Sequence, residues 1–168
     1  AGIPLELIPV DLATRTYGNR RNYLDVNANG YVPALEIDSG TVLTEGPAIM
    51  QYLADLKPES GLAPANGSLP RYQLQQWLNF VTSEVHKGYS PLFNPATQAA
   101  YREIALDTLR KRYAVIEQAL SASEYLGGGQ FGLADAYLFV VTGWAGHVGL
   151  DLSGFQKLQA WRKRAAER

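Results

Sequence analysis

A chain of 168 residues is long enough for one large domain or two small ones, and its 46% hydrophobic and 18% charged residues are typical of a folded globular protein. The net charge of −1 disfavours nucleic acid as a partner. Because the sequence has no cysteine, it contains no disulfide, no thiolate zinc site and no thiol nucleophile. The longest apolar run, residues 133–141, is interrupted by Asp135 and is far shorter than the roughly 20 residues of a membrane span.

The first part of the chain has the pattern of a small sheet. Residues 5–10 are mostly apolar and predict a strand at a sheet edge, and the polar segment 14–25 is weakly helical. A second strand is predicted over residues 32–37. The turn residues 38–40 then favour a tight hairpin into a third strand that begins at residue 41.

A helix closes this α/β unit. From Gly46 the apolar residues recur at helical spacing, with Pro47 at a first helical position and Pro58 beyond the end. The following segment, rich in proline and glycine, reads as a linker. We therefore predict an α/β domain over residues 1–57, a linker over 58–69 and a helical domain over 70–168.

The helical domain is predicted from apolar stripes. Residues 133–148 are apolar on nearly every side, which indicates a central buried helix. The stripes of the other three helices are Leu74, Trp77, Leu78, Val81 and Val85; Ile104, Leu109, Tyr113, Ile116 and Leu120; and Phe155, Leu158, Trp161 and Ala165.

A polar stripe runs beside the first of these apolar stripes. Asn79, Thr82, Ser83 and His86 are spaced so that they share one face of the helix. This face either lines a cleft or is simply the solvated side of the helix. His86 has no second ligand at helical spacing for a metal site and no nucleophile beside it. Two basic triplets, residues 110–112 and 162–164, read as solvated helix faces.

Two segments of the α/β domain have both a structural and a functional interpretation. Val32-Pro33 is either an ordinary edge position or a cis peptide whose Val32 backbone could pair with an extended peptide. Thr44-Glu45-Gly46-Pro47 opens a helix, where free amides favour a carboxylate and Glu45 could take a cationic group. The alternative for this second segment is an ordinary capped helix.

Taken in order, several motifs resemble those of the bacterial beta-class glutathione transferases. The motifs are Val32-Pro33-Ala34-Leu35, Leu43-Thr44-Glu45-Gly46-Pro47, Trp77-Leu78-Asn79, Glu84-Val85-His86-Lys87-Gly88 and Phe131-Gly132-Leu133-Ala134-Asp135-Ala136-Tyr137. The resemblance covers nearly the whole chain. It implies a thioredoxin-like α/β domain followed by an all-helical domain, with glutathione as co-substrate between them and no metal.

The resemblance also implies roles for individual residues. Val32 before Pro33 would pair with the cysteinyl backbone of glutathione, and Glu45 with Gly46 would hold the γ-glutamyl end. The remaining implied residues are His86 and Asn79 near the thiol, Arg15 near the glycyl carboxylate, and Tyr89, Tyr137 and Trp144 lining the pocket of a small hydrophobic electrophile. The implied protein is a cytoplasmic homodimer that binds neither nucleic acid nor membrane.

Two departures from the family pattern shape the expectation. The family domain begins with a strand and helix that carry the residue closest to the glutathione sulfur, and this pattern is not found in the sequence. We therefore expect a truncated thioredoxin-like domain and poor conjugation by this chain alone. A non-catalytic binding or scaffold module is the alternative function. The second departure is Gly132 where the family has Ser or Thr, so that Asp135 supplies only half of a capping box.

Overall fold

The computed structural model describes residues 2–38 and 40–168; Ser39, in the predicted hairpin turn, lies outside the described residues. The chain divides into two compact units, with the division between Ser60 and Gly61. This point lies within the segment that the sequence indicates as a linker, residues 58–69.

The first unit contains two small antiparallel sheets. β1 (Val10–Asp11), β2 (Thr16–Tyr17) and β3 (Arg21–Asn22) form one sheet in that order, and a short 3-10 helix (Tyr23–Asp25) follows. β4 (Ala34–Glu36) and β5 (Val42–Thr44) form the other sheet as an antiparallel pair, which confirms the predicted pairing of these two strands.

The N-terminal part of this unit differs from the sequence prediction. The strand expected over residues 5–10 is reduced to β1, because no described strand pairs with residues 5–9, and Leu7 is 87% exposed. The weak helix expected over 14–25 is replaced by β2, β3 and the 3-10 helix. Arg15 and Arg20 adopt positive φ angles of 56° and 60°, which are incompatible with a right-handed helix.

The predicted helix after the hairpin is present as α1 (Gly46–Asp55), followed by a 3-10 turn (Pro58–Ser60). Ile49 and Ala54 are its buried residues. The peptide bond between Val32 and Pro33, which directly precede β4, is cis. Two small sheets with one α-helix are thus the described architecture of this unit.

The second unit is helical. Its first long helical segment consists of α2 (Leu69–Phe80), a π-helical turn (Val81–His86) and α3 (Lys87–Phe93). The remaining helices are α4 (Ala99–Ala122), α5 (Leu133–Thr142), α6 (Ala145–Val148) and α7 (Gln156–Ala166). The helical domain predicted from the apolar stripes is therefore present.

The core of this unit forms where α4 contacts α3, the π-helical turn and α7. Most residues of the predicted stripes are buried, but Ile104 is 59% exposed. Ile104 precedes Leu109 by five residues, which places it about 140° away around the helix. Ala105 and Leu106, four and three residues before Leu109, take the buried positions instead.

The predicted central helix over residues 133–148 is interrupted. α5 ends at Thr142 and the short α6 follows, ending at Gly149 in the left-handed conformation with φ of 76°. The amide of Leu150 donates to the carbonyl of Ala145, as in a Schellman motif. At the start of α5, the amide of Gly132 donates to Oδ2 of Asp135 at 3.0 Å, so the predicted half of the capping box is confirmed.

Candidate functional site

His86 ends the π-helical turn of the second unit. The amide of Lys87 donates to the carbonyl of Thr82, five residues back, so this turn is wider than an α-helical one. Val81 and Val85 are fully buried along it, and Tyr89 is fully buried just beyond it in α3. The turn thus keeps its apolar side in the core while it carries His86 at a half-buried position.

Two side chains of the predicted polar stripe form hydrogen bonds within their own helical segment. The hydroxyls of Thr82 and Ser83 donate to the carbonyls of Leu78 and Asn79, at 2.8 and 3.0 Å. Asn79 is exposed and lies seven residues before His86. Of the stripe, only His86 joins a cluster of other functional candidates.

The imidazole of His86 is held by two aromatic residues from the segment of α5 and α6. Its Nδ1 lies 2.6 Å from the hydroxyl of Tyr137. The ring of Trp144 approaches edge-on, with centroids 4.8 Å apart and planes at 76°. Burial lowers the pKa of His86, and the neighbouring charge of Lys87 lowers it further. The neutral imidazole is therefore favoured at neutral pH.

Trp144 lies at the centre of a group of five rings, which we call the aromatic cluster: His86, Tyr89, Phe93, Tyr137 and Trp144. The rings of Tyr89 and Phe93 each contact Trp144 edge-on with centroids 5.6 Å apart. Such edge-to-face contacts are favourable and fix ring orientation. Phe93 is 52% exposed, so the cluster presents apolar surface to solvent.

Tyr89 occupies the inner side of the aromatic cluster. It has no exposed surface, and its hydroxyl lies 2.8 Å from that of Tyr113, which in turn donates to Thr142 at 3.3 Å. Burial raises the pKa of both tyrosines. Tyr89 therefore packs against the core side of Trp144. The sequence analysis does not predict Phe93 as a member of this cluster, although its spacing of four residues from Tyr89 places both on one helix face.

In the first unit, the strand register brings two predicted segments together. Ala34 pairs with Thr44 across the β4–β5 hairpin. The residues immediately outside this pair, Pro33 and Glu45, therefore lie at the same end of the hairpin. Val32 is 47% exposed there.

Glu45 and Gly46 form the start of α1. Glu45 is exposed and adopts φ of 68° and ψ of 111°, an uncommon conformation for a residue with a side chain. A Cβ built on Gly46 would meet no atom within 4 Å, so the space beside it is open. Pro47 has no amide hydrogen and Ala48 donates to the carbonyl of Glu45, which leaves the amide of Gly46 as the available donor of this turn.

The remaining predicted features are Arg15, the two basic triplets and the expected absence of a metal site. Arg15 donates from Nη1 to the carbonyl of Gly30 within its own unit. The basic triplets are not wholly solvated, because Arg112 pairs with Glu84 and Arg164 donates to the carbonyl of Glu124. Over residues 2–38 and 40–168, no group of three or more His, Asp or Glu side chains is placed to hold a metal ion. Within the same residues, no helix has the length and apolar character needed to cross a membrane.

Comparison with known proteins identifies the family. Residues 1–56 match the family profile of the glutathione S-transferase N-terminal domain, and residues 80–168 match that of the C-terminal domain. The chain is 42% identical over 168 residues to glutathione S-transferase GstA of Escherichia coli O157:H7, covering 100% of this chain and 84% of that protein. The chain belongs to the glutathione S-transferase family.

Solved structures of glutathione S-transferases agree with this assignment. A sphingomonad glutathione S-transferase complexed with glutathione is 42% identical, with a TM-score of 0.95 over 99% of this chain and 83% of that one. The beta-class enzyme of Sphingomonas chungbukensis is also 42% identical, with a TM-score of 0.94 over 99% and 83% of the two chains. The resemblance, fold class and transferase function predicted from the sequence are thereby confirmed.

Proposed function

We propose that this glutathione S-transferase conjugates the thiol of glutathione to small hydrophobic electrophiles, with the first unit holding glutathione and the aromatic cluster receiving the electrophile. The observation that carries the proposal is the aromatic cluster, in which a half-buried, neutral His86 lies against Trp144 and Tyr137. The imidazole of His86 is a polar group within an apolar surface. Conjugation of a thiol to a hydrophobic electrophile requires this combination, because the polar group can contact the sulfur while the apolar surface binds the electrophile.

Glutathione is a peptide with a free amino group and two carboxylates, and the end of the β4–β5 hairpin offers complements to it. In the proposal, Val32 pairs with the cysteinyl backbone as an added strand does, beside Pro33. The amide of Gly46 donates to the γ-glutamyl carboxylate, and the carboxylate of Glu45 takes the amino group. Asn79 and the remaining guanidinium donors of Arg15 have supporting roles.

The electrophile lies against Trp144, Tyr137 and Phe93 in the proposal, with Tyr89 fixing Trp144 from the core side. These surfaces are aromatic and flat, and they suit a small aromatic electrophile. His86 contacts the sulfur. In water the thiol is largely protonated at neutral pH, so a group that stabilises the thiolate increases the concentration of nucleophile.

Titration of glutathione into this chain by calorimetry tests the glutathione site. We expect Glu45→Gln to weaken binding about tenfold, since one charged contact of roughly 1.4 kcal/mol is lost. Glu36→Gln is the matched control, because Glu36 is an exposed glutamate of the same hairpin. No binding by the unaltered chain, or equal effects of the two substitutions, would contradict the proposed site.

A conjugation assay with a chlorinated nitroaromatic compound distinguishes the two functional hypotheses, an enzyme and a non-catalytic binding or scaffold module. We expect slow turnover by this chain alone, with Trp144→Ala raising KM for the electrophile and leaving glutathione affinity unchanged. Tight glutathione binding without turnover in any condition would favour the scaffold instead.

The proposal also includes a cytoplasmic homodimer. The cytosol holds the reduced glutathione pool that the reaction consumes. α2 exposes Leu69 and Tyr72, and α4 exposes Tyr101 and Ile104, each pair at a spacing of three residues. Sedimentation of the chain should give a dimer mass, and Tyr72→Glu with Ile104→Glu should convert it to a monomer. A monomer mass before substitution would contradict this part.

A further inference from the structure

The two ring nitrogens of His86 have different environments. Nδ1 lies 2.6 Å from the Tyr137 hydroxyl, a short distance for a hydrogen bond. Among the residues that the structure describes, no hydrogen-bond partner is placed on Nε2. A neutral imidazole carries one proton on one of its two nitrogens. The direction of the hydrogen bond at Nδ1 therefore decides whether Nε2 is a donor or an acceptor.

The chemistry of the two groups favours one direction for this bond. A phenol hydroxyl is a better donor than a neutral imidazole N–H, and an imidazole nitrogen is a better acceptor than a phenol oxygen. Donation from Tyr137 to Nδ1 is therefore the favoured direction, and it places the proton of the ring on Nε2. The reverse direction would turn Nε2 into a lone-pair acceptor, which is the form a general base requires.

The packing around the ring holds this arrangement. Trp144 contacts the ring edge-on with centroids 4.8 Å apart, and the Tyr137 ring lies 5.8 Å away at 72°. The charge of Lys87, the next residue along the chain, acts on the ring. Lys87 and partial burial both disfavour a charged imidazolium, so the ring keeps a single proton.

We infer that Tyr137 is a positioning residue that holds His86 as the neutral Nε2–H tautomer, so that His86 is a hydrogen-bond donor to anionic sulfur and not the base that removes the thiol proton. Donation from Nε2–H of His86 to the glutathione sulfur rests on the proposed function, whereas the tautomer of the free protein does not. The thiol proton leaves to solvent, and Nε2–H stabilises the thiolate that remains. Tyr137 thus acts through His86, in addition to any contact with the electrophile.

Nitrogen-15 NMR of histidine-labelled protein tests the tautomer without any ligand. We expect the His86 spectrum at neutral pH to show an unprotonated Nδ1 and a protonated Nε2. In Tyr137→Phe, which keeps the ring and removes the hydroxyl, we expect a mixture of tautomers and a higher His86 pKa. His147 is exposed and gives the internal reference, and Tyr72→Phe is the matched control. A protonated Nδ1 in the unaltered protein, or no change in Tyr137→Phe, would overturn the inference.

Substitutions of His86 test the chemical role. The amide nitrogen of Gln lies near the position of Nε2 and can donate but cannot act as a base. We expect His86→Gln to retain at least tenfold more turnover than His86→Ala, with kcat affected more than the KM for glutathione, because loss of such a donor costs 10²- to 10³-fold. Equal loss in the two variants would contradict the donor role. Absence of glutathione binding would defeat the proposed function while leaving the NMR result to decide the tautomer.

Discussion

The indole Nε1–H of Trp161 donates to Oδ1 of Asp135 at 2.9 Å, and both residues are fully buried in the helical unit. The same carboxylate accepts the amides of Leu126 and Gly132, each at 3.0 Å. One side chain therefore joins α7, the start of α5 and the loop before it. A buried acid with three donors is a structural group here, and it explains why an acid occurs in the most apolar segment of the chain.

Asp135→Ala should destabilise the protein by about 2–5 kcal/mol, because it leaves two buried donors and one partly buried donor without an acceptor. Asp135→Asn should cost less, since its carbonyl oxygen can still accept while its NH₂ group faces an amide donor. Urea unfolding measures both. Asp151→Asn is the control at an exposed aspartate whose Oδ1 accepts the amide of Ser153. Unchanged stability in Asp135→Ala would contradict the account.

The pH dependence of stability gives a second test of Asp135. Burial raises the pKa of its carboxyl above the ordinary value of an aspartate, although its hydrogen bonds act in the opposite direction. With the folded pKa above the unfolded one, the contribution to stability is fully present below the unfolded pKa and is lost as pH rises through the folded pKa. The difference in unfolding free energy between the unaltered protein and Asp135→Asn should therefore grow as pH falls from neutral. A difference that shrinks would show that the hydrogen bonds dominate.

The hydroxyls of Tyr89 and Tyr113 should show energetic coupling. Tyr113→Phe removes a group that contacts both Tyr89 and Thr142, and should cost about 1–3 kcal/mol. Tyr89→Phe should cost less, because Tyr113 keeps its bond to Thr142. The double variant should cost less than the sum of the two in urea unfolding, since no hydroxyl of the pair is left alone. Tyr101→Phe, at an exposed tyrosine, is the control.

The backbone of Glu45 should be strained. A non-glycine residue in such a conformation costs of order 1–3 kcal/mol, so Glu45→Gly should raise the unfolding free energy by about 1 kcal/mol. It should also weaken glutathione binding, as the carboxylate is lost. Glu36→Gly, in the regular strand β4, should lower stability instead. Loss of stability in Glu45→Gly would show that the conformation is not strained.

The elements predicted best from the sequence are those with a strong local pattern. α1 follows from Pro47 and the apolar spacing behind it, and the β4–β5 hairpin follows from its turn residues. Residues 5–10 were predicted as a strand because apolar and β-branched residues favour one, but a strand also needs a hydrogen-bonding neighbour, which local sequence does not reveal. The break after Thr142 was missed because the apolar run continues through it.

For the candidate site, the residues were predictable through the family resemblance, while their contacts were not. Nothing in the spacing of residues 86 and 137 indicates that the two side chains form a hydrogen bond. Likewise, Tyr89 was expected on a pocket wall, and its burial depends on how α3 packs against α4. Phe93 alone had a usable signal in its spacing from Tyr89.

The widened turn from Val81 to His86 fixes the register between the two halves of one long helix. A single π-helical turn holds one more residue than the α-helical turn that it replaces. Deleting Ser83 would therefore close the segment into ordinary α-helical turns and leave the orientation of α3 relative to α2 nearly unchanged. The same deletion within α2 or α3 would turn every later side chain by roughly 100° around the helix, so the chain can lose a residue more readily at this turn than in the regular helices beside it.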